Sequence, residues 1–131
     1  MTAPELARAG AAGFSDDGRS VADARIMASA LRYAAMVGKP LILHEEDPDL
    51  DFEGQMNEGA LSAVLGLRGM PRTAEEVMVM RDIALAEYLG APLHITHIST
   101  RGTVGLIREA KTRGVRVTCD VTPHHLTLTE E

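Results

Sequence analysis

Tryptophan is absent, and aromatic residues make up 3% of the chain. So few π-faces exclude a base-stacking platform for single-stranded nucleic acid. Fixed positive charge is also scarce. Thirteen Lys and Arg stand against 19 Asp and Glu, the formal net charge is −6, and no basic run exceeds two residues. Tracking a phosphate backbone needs clustered cations, so nucleic acid is not expected as a partner. A single cysteine, Cys119, excludes an intrachain disulfide. That fits a reducing compartment, and a cytoplasmic location is expected. No apolar run approaches the ~20 residues of a membrane span. The opening "MTAPELARAGAAG" carries charge where a secretory signal is apolar. No membrane partner is expected.

What is present is a chain of 131 residues that is 45% hydrophobic. One globular domain over residues 1–131 is expected. Three segments share one design: "SVADARIMASALRYAAMVGKPLILH", "TAEEVMVMRDIALAEYLGAPLHITH" and "TRGTVGLIREAKTRGVRVTCD". Each has helical periodicity, then a glycine, then a short apolar run. Gly38, Gly90 and Gly114 suit the left-handed position that ends a helix. Thr73 with Glu76, and Ser20 with Asp23, read as capping boxes. The pattern predicts strands near 11–15, 40–45, 92–98 and 115–121. It predicts helices near 22–37, 73–89 and 101–113, and a short one over Glu58–Leu65. Strands alternating with helices imply parallel βα units. Apolar runs, rather than clean alternation, suggest strands covered on both faces. Residues 45–59 hold seven acidic residues and read as a long irregular loop, functional or disordered, whose acidic run 45–53 is solvated.

Each predicted strand ends in a side chain able to bind metal. The first ends in "SDDG", with Asp16 and Asp17, the second at His44, the third at His97 and the fourth near Asp120. Parallel strands put these ends on one face, where (β/α) barrels build their sites. Asp17, His44 and His97 can therefore converge, and carboxylate with imidazole suits a Zn²⁺-like ion. His94 and His97 are three apart, so strict alternation sends them to opposite faces. His97 is then the ligand, and His94 packs under a helix or makes a structural hydrogen bond. Cys119 reads as core, and His124 and His125 as packing or loop residues.

The stretches "GFSDDG", "HEEDPDL", "MNEG", "AEEVMVMRDIALAEYLGAPLHITHIST" and "VRVTCDVTPHHLTLTEE" resemble the dihydroorotase family of metal-dependent cyclic amidases. The resemblance runs along essentially the whole chain. It implies an α/β fold, part of a (β/α)₈ TIM barrel, with about four parallel βα units here. It also implies one or two zinc ions and the interconversion of N-carbamoyl-aspartate and dihydroorotate in pyrimidine synthesis. Asp17 resembles the carboxylate that bridges two metals, with Asp16 the runner-up. His44 and His97 resemble the ligands of the second metal, and Asp120 an additional metal-associated acid. No catalytic or substrate-binding residue is carried over. Lys39 and Lys111 lie near predicted helix ends, which argues against the carbamylated-lysine bridge of dihydropyrimidinases and allantoinases. The family's "HxH" pair and final aspartate have no counterpart. The chain is thus expected to be an internal fragment, inactive alone. The alternatives are a non-catalytic scaffold for aspartate transcarbamoylase or another cyclic amidase (dihydropyrimidinase or allantoinase), and a homo-oligomer is a further possible assembly.

Overall fold

Asp23 sets the start of the first long helix. Its side chain accepts from the N–H groups of Arg25 and Ile26, at 2.7 and 3.1 Å. In the computed structural model, which describes residues 2–129, this helix is followed by repeated strand–helix units. Met1, Glu130 and Glu131, at the ends of the expected domain, lie outside the described residues. The order is α1 (Ala3–Arg8), β1 (Phe14–Ser15), α2 (Ala24–Met36), β2 (Leu41–Leu43), β3 (Met56–Asn57) and α3 (Ala60–Leu65). Then come β4 (Gly69–Met70), α4 (Thr73–Leu89), β5 (Leu93–Ile95), α5 (Arg101–Thr112), β6 (Val117–Cys119) and α6 (Pro123–Thr127).

The main sheet has the order β1-β2-β5-β6, and every pairing is parallel. Leu41 registers with Leu93 and Leu93 with Val117, while Ile42, His94 and Thr118 form the next row. Leu41, Leu43, Leu93, Ile95 and Val117 are buried. They pack on Met27 and Leu31 of α2, Val79 and Ile83 of α4, and Ile107 of α5. The intervening row of Ile42 and His94 is half-buried and Thr118 is exposed, because these face away from the helices. Burial is therefore one-sided among the described residues, not two-sided as the apolar runs suggest. This is one helix-covered arc of a parallel sheet, with the partial-barrel architecture expected from the sequence.

The four strands and three long helices fall within the predicted spans, but the strands are shorter. Gly38, Gly90 and Gly114 all take positive φ, as their helix-ending positions require. The capping boxes differ. Thr73 is the first residue of α4, whose N-cap Arg72 makes no side-chain cap bond. Ser20 turns to the second strand instead: its hydroxyl donates to the His44 carbonyl at 2.5 Å and accepts from Glu46 N–H at 3.1 Å. The small parallel pair β3–β4 falls inside and just after the stretch read as a loop.

Leu93 is 1% exposed on the helix-facing row. Leu93→Ala is expected to lower unfolding free energy by about 2–5 kcal/mol in urea titrations. A change below about 1 kcal/mol would mean that this row is not packed as described.

Candidate metal centre

The three strand-end residues meet at one point. Asp17 lies two residues beyond β1, His44 one beyond β2 and His97 two beyond β5. His44 Nδ1 is 3.0 Å from His97 Nε2. Asp17 Oδ1 is 3.8 Å from His44 Nδ1 and 3.5 Å from His97 Nε2. Metal–ligand bonds of about 2.0–2.1 Å at tetrahedral angles put ligand atoms about 3.3–3.4 Å apart. The observed triangle brackets that value, so the donor set fits a tetrahedral ion with its fourth position open. Among the described residues this is the group of His, Cys, Asp and Glu able to hold a metal.

Asp16 is not part of the triangle. Its Oδ1 accepts from His44 N–H at 2.9 Å and its Oδ2 from Val21 N–H at 3.2 Å. It holds the backbone of a donor residue, which leaves Asp17 as the carboxylate in the cluster. Asp120 does the same on the other side, accepting from His97 N–H at 2.6 Å through Oδ1. Its Oδ2 lies 3.0 Å from His94 Nε2. Those bonds hold the Asp120 carboxyl below its ordinary range, His94 contributing most. Asp120 thus supports a donor residue and lies outside the donor triangle.

His97 has φ of +36°, a left-handed conformation that is uncommon for a residue with a side chain. The regular strand ends at Ile95, so alternation does not reach His97. The opposite-face assignment consequently fails for His94. It sits on the row facing away from the helices and bonds Thr118 Oγ1 at 2.8 Å as well as Asp120. Its expected structural hydrogen bonds are present, but it does not pack under a helix. Beyond His97, Glu75 clamps the chain. Its carboxylate accepts from Ser99 N–H and Oγ, and from Thr100 N–H and Oγ1, at 2.6–3.1 Å.

The acidic stretch after His44 is not simply solvated. Glu45 is 7% exposed, and its Oε1 meets no N–H or hydroxyl donor. Burial, then the charge of Asp82, pushes its carboxyl up to about 9. Glu45 keeps its proton at neutral pH and hydrogen-bonds Asp82, itself fully buried and raised by burial. Arg81 compensates the pair through two bonds to Asp82, at 2.7 and 2.9 Å. Two more of its N–H groups donate to the Ala22 and Val21 carbonyls, each at 2.8 Å. The next residue, Glu46, faces His44 Nε2 at 2.7 Å. A hydrogen bond with Glu46 pushes Asp51 up to about 6, and holds Glu46 below its ordinary value.

A cavity of about 770 Å³ opens beside the two histidines, lined by His44, His97, Glu75, Arg72, His124 and His125. His124 and His125 are exposed on α6, so neither packs in the core. Cys119 is half-buried against the core, as expected. Sequence reasoning missed Glu46, Glu75 and the Arg81–Asp82 pair. The last had a signal: adjacent opposite charges within the apolar run "VMVMRDIALA".

A cluster able to hold a metal, at the carboxyl ends of adjoining parallel strands and backed by one helix layer, is the arrangement of a (β/α) barrel. Residues 2–103 match the family described as "Dihydro-orotase-like", and the chain belongs to that family. It is 57% identical over 127 residues to a dihydroorotase of Pelotomaculum thermopropionicum and 52% identical to one of Trichlorobacter lovleyi. Each alignment covers 97% of this chain but 30% of the relative, so the chain spans under a third of their length. Among solved structures, a D-hydantoinase superposes with a TM-score of 0.74 at 25% identity, over 97% of this chain and 29% of the other. The D-hydantoinase of Bacillus sp. AR9 gives 0.77 at 22%, over 96% and 29%. These likenesses show the barrel fold.

Glu45 gives the region a defined pH response. Its carboxyl lies near 4.5 when unfolded and near 9 when folded, so between those values the native state binds the extra proton. Stability is therefore fully present below about 4.5 and declines as pH rises toward 9. Glu45→Gln, which keeps the neutral shape, is expected to flatten that slope in urea midpoints measured from pH 5 to 9. An unchanged slope would show that Glu45 is ionised in the folded chain.

Proposed function

We propose that the chain is the second-metal half of a dihydroorotase centre, with zinc held by Asp17, His44 and His97. The observation that carries this reading is the donor triangle of 3.0, 3.5 and 3.8 Å. It stands at the C-terminal ends of neighbouring parallel strands, in a chain 57% identical to a named dihydroorotase. Two imidazoles and one carboxylate are the donor types that zinc accepts in catalytic sites. Zinc there supplies Lewis acidity, polarising an amide carbonyl and acidifying water.

The substrate assigned by this reading is dihydroorotate and its open form, N-carbamoyl-aspartate, in pyrimidine synthesis in the cytoplasm. The described residues form one partial barrel domain. The "HxH" pair and the acid/base aspartate that the resemblance calls for belong, on this reading, to the rest of the protein's barrel. A scaffold role beside aspartate transcarbamoylase is less favoured, because all three donors are in place.

The test is zinc affinity by competition with a chromophoric chelator. The purified chain is expected to bind one equivalent. His44→Ala, His97→Ala and Asp17→Asn are each expected to weaken binding by more than the roughly 10–100-fold typical of a merely supporting residue. Equal affinity in all three variants would overturn the site. In the whole protein, the same substitutions are expected to abolish dihydroorotate turnover.

A further inference from the structure

We propose that Glu46 is the positioning residue of this centre: its carboxylate fixes which nitrogen of His44 is offered to the metal. The inference rests on the metal-site reading above and deepens it.

A neutral imidazole has one N–H and one lone pair, so only one nitrogen can ligate. His44 places its nitrogens in different surroundings. Nδ1 faces His97 Nε2 at 3.0 Å and Asp17 Oδ1 at 3.8 Å. Nε2 points the other way and lies 2.7 Å from Glu46 Oε2. An ionised carboxylate only accepts hydrogen bonds, so it selects the tautomer with the proton on Nε2. The lone pair is then on Nδ1, inside the triangle. In the metal-free chain, that lone pair accepts from His97 Nε2–H.

Glu46 is itself held in place. Its backbone N–H donates to Ser20 Oγ at 3.1 Å, and the same hydroxyl donates to the His44 carbonyl at 2.5 Å. The Glu46 side chain is 32% exposed, so it can be replaced without opening a core cavity. Glu46 sits across the ring from the donor triangle and is not a member of it. Carboxylates that accept from the outer nitrogen of a ligating histidine orient the ring and raise its basicity. Losing one typically costs ~10–100-fold in metal affinity.

Two measurements on the purified chain test this. The first is the His44 tautomer without metal, read from long-range ¹H–¹⁵N couplings of the ring. The wild-type chain is expected to show Nε2–H, and Glu46→Ala a mixture containing Nδ1–H. The second is zinc affinity, expected to fall ~10–100-fold in Glu46→Ala. Glu46→Asp, whose shorter carboxylate can still accept, is expected to recover part of the loss. If Glu46→Ala fails to fold, Glu46→Gln takes its place: its amide can donate to Nε2, and a shift toward the Nδ1–H tautomer is expected. An Nδ1–H tautomer in the wild-type chain overturns the proposal. So does wild-type affinity in Glu46→Ala while His44→Ala loses binding. Wild-type affinity in His44→Ala and His97→Ala as well would instead overturn the metal site itself.

Discussion

The Asp16 carboxylate is the contact through which the site is tied to the fold. One oxygen takes the N–H of His44 and the other the N–H of Val21. Val21 lies in the segment leading to α2, and Arg81 of α4 holds that segment by its carbonyls. Arg81 is in turn locked to Asp82 in the buried layer between helices and sheet. A continuous polar path therefore runs from the core of α4, through the loop after β1, to the backbone of a donor histidine. Bonds to charged groups are the stronger ones, and a buried member left without its partner costs more than the bond gains. Each link thus holds the next.

On the far side, Asp120 repeats the arrangement with a different purpose. His97 is held in a left-handed conformation, which costs of order 1–3 kcal/mol for such a residue. The 2.6 Å bond from its N–H to Asp120 offsets that cost, and the Glu75 clamp fixes the two residues that follow Ile98. The strained turn swings His97 toward His44, so imidazoles from two neighbouring strands reach one point.

The parallel order and the convergence of Asp17, His44 and His97 were legible because both follow from periodicity and strand direction. Apolar runs after glycine-ended helices leave little choice, and parallel strands put their ends together. Three features were not legible. The Thr73 cap failed because the chain arrives already helical at Arg72, and the Ala74 and Glu76 N–H groups donate to the Pro71 and Arg72 carbonyls instead. The face of His94 failed because alternation was carried past Ile95, where the strand stops. The acidic stretch after His44 was misread because charge was taken as a sign of water. Glu45 is buried by the tertiary fold, and nothing local announces Asp82 or Arg81 as its neighbours.

That buried acid also shows how the site manages its charge. Asp16, Asp17, Glu46 and Asp120 surround the two imidazoles, and Arg81 is engaged with Asp82 behind them. A fully ionised Glu45 would add one more negative charge at low dielectric, where such repulsion is least screened. Protonation removes it. The remaining carboxylates have distinct tasks: Asp16 and Asp120 hold backbone, Glu46 holds a ring, and Asp17 alone, 69% exposed, points a free oxygen at the donor nitrogens. Carboxylates gathered around two imidazoles leave surplus negative charge, a repulsion that a bound cation would relieve. The polar path from α4 thus ends at a cluster whose negative charge is the least compensated of the polar network it belongs to.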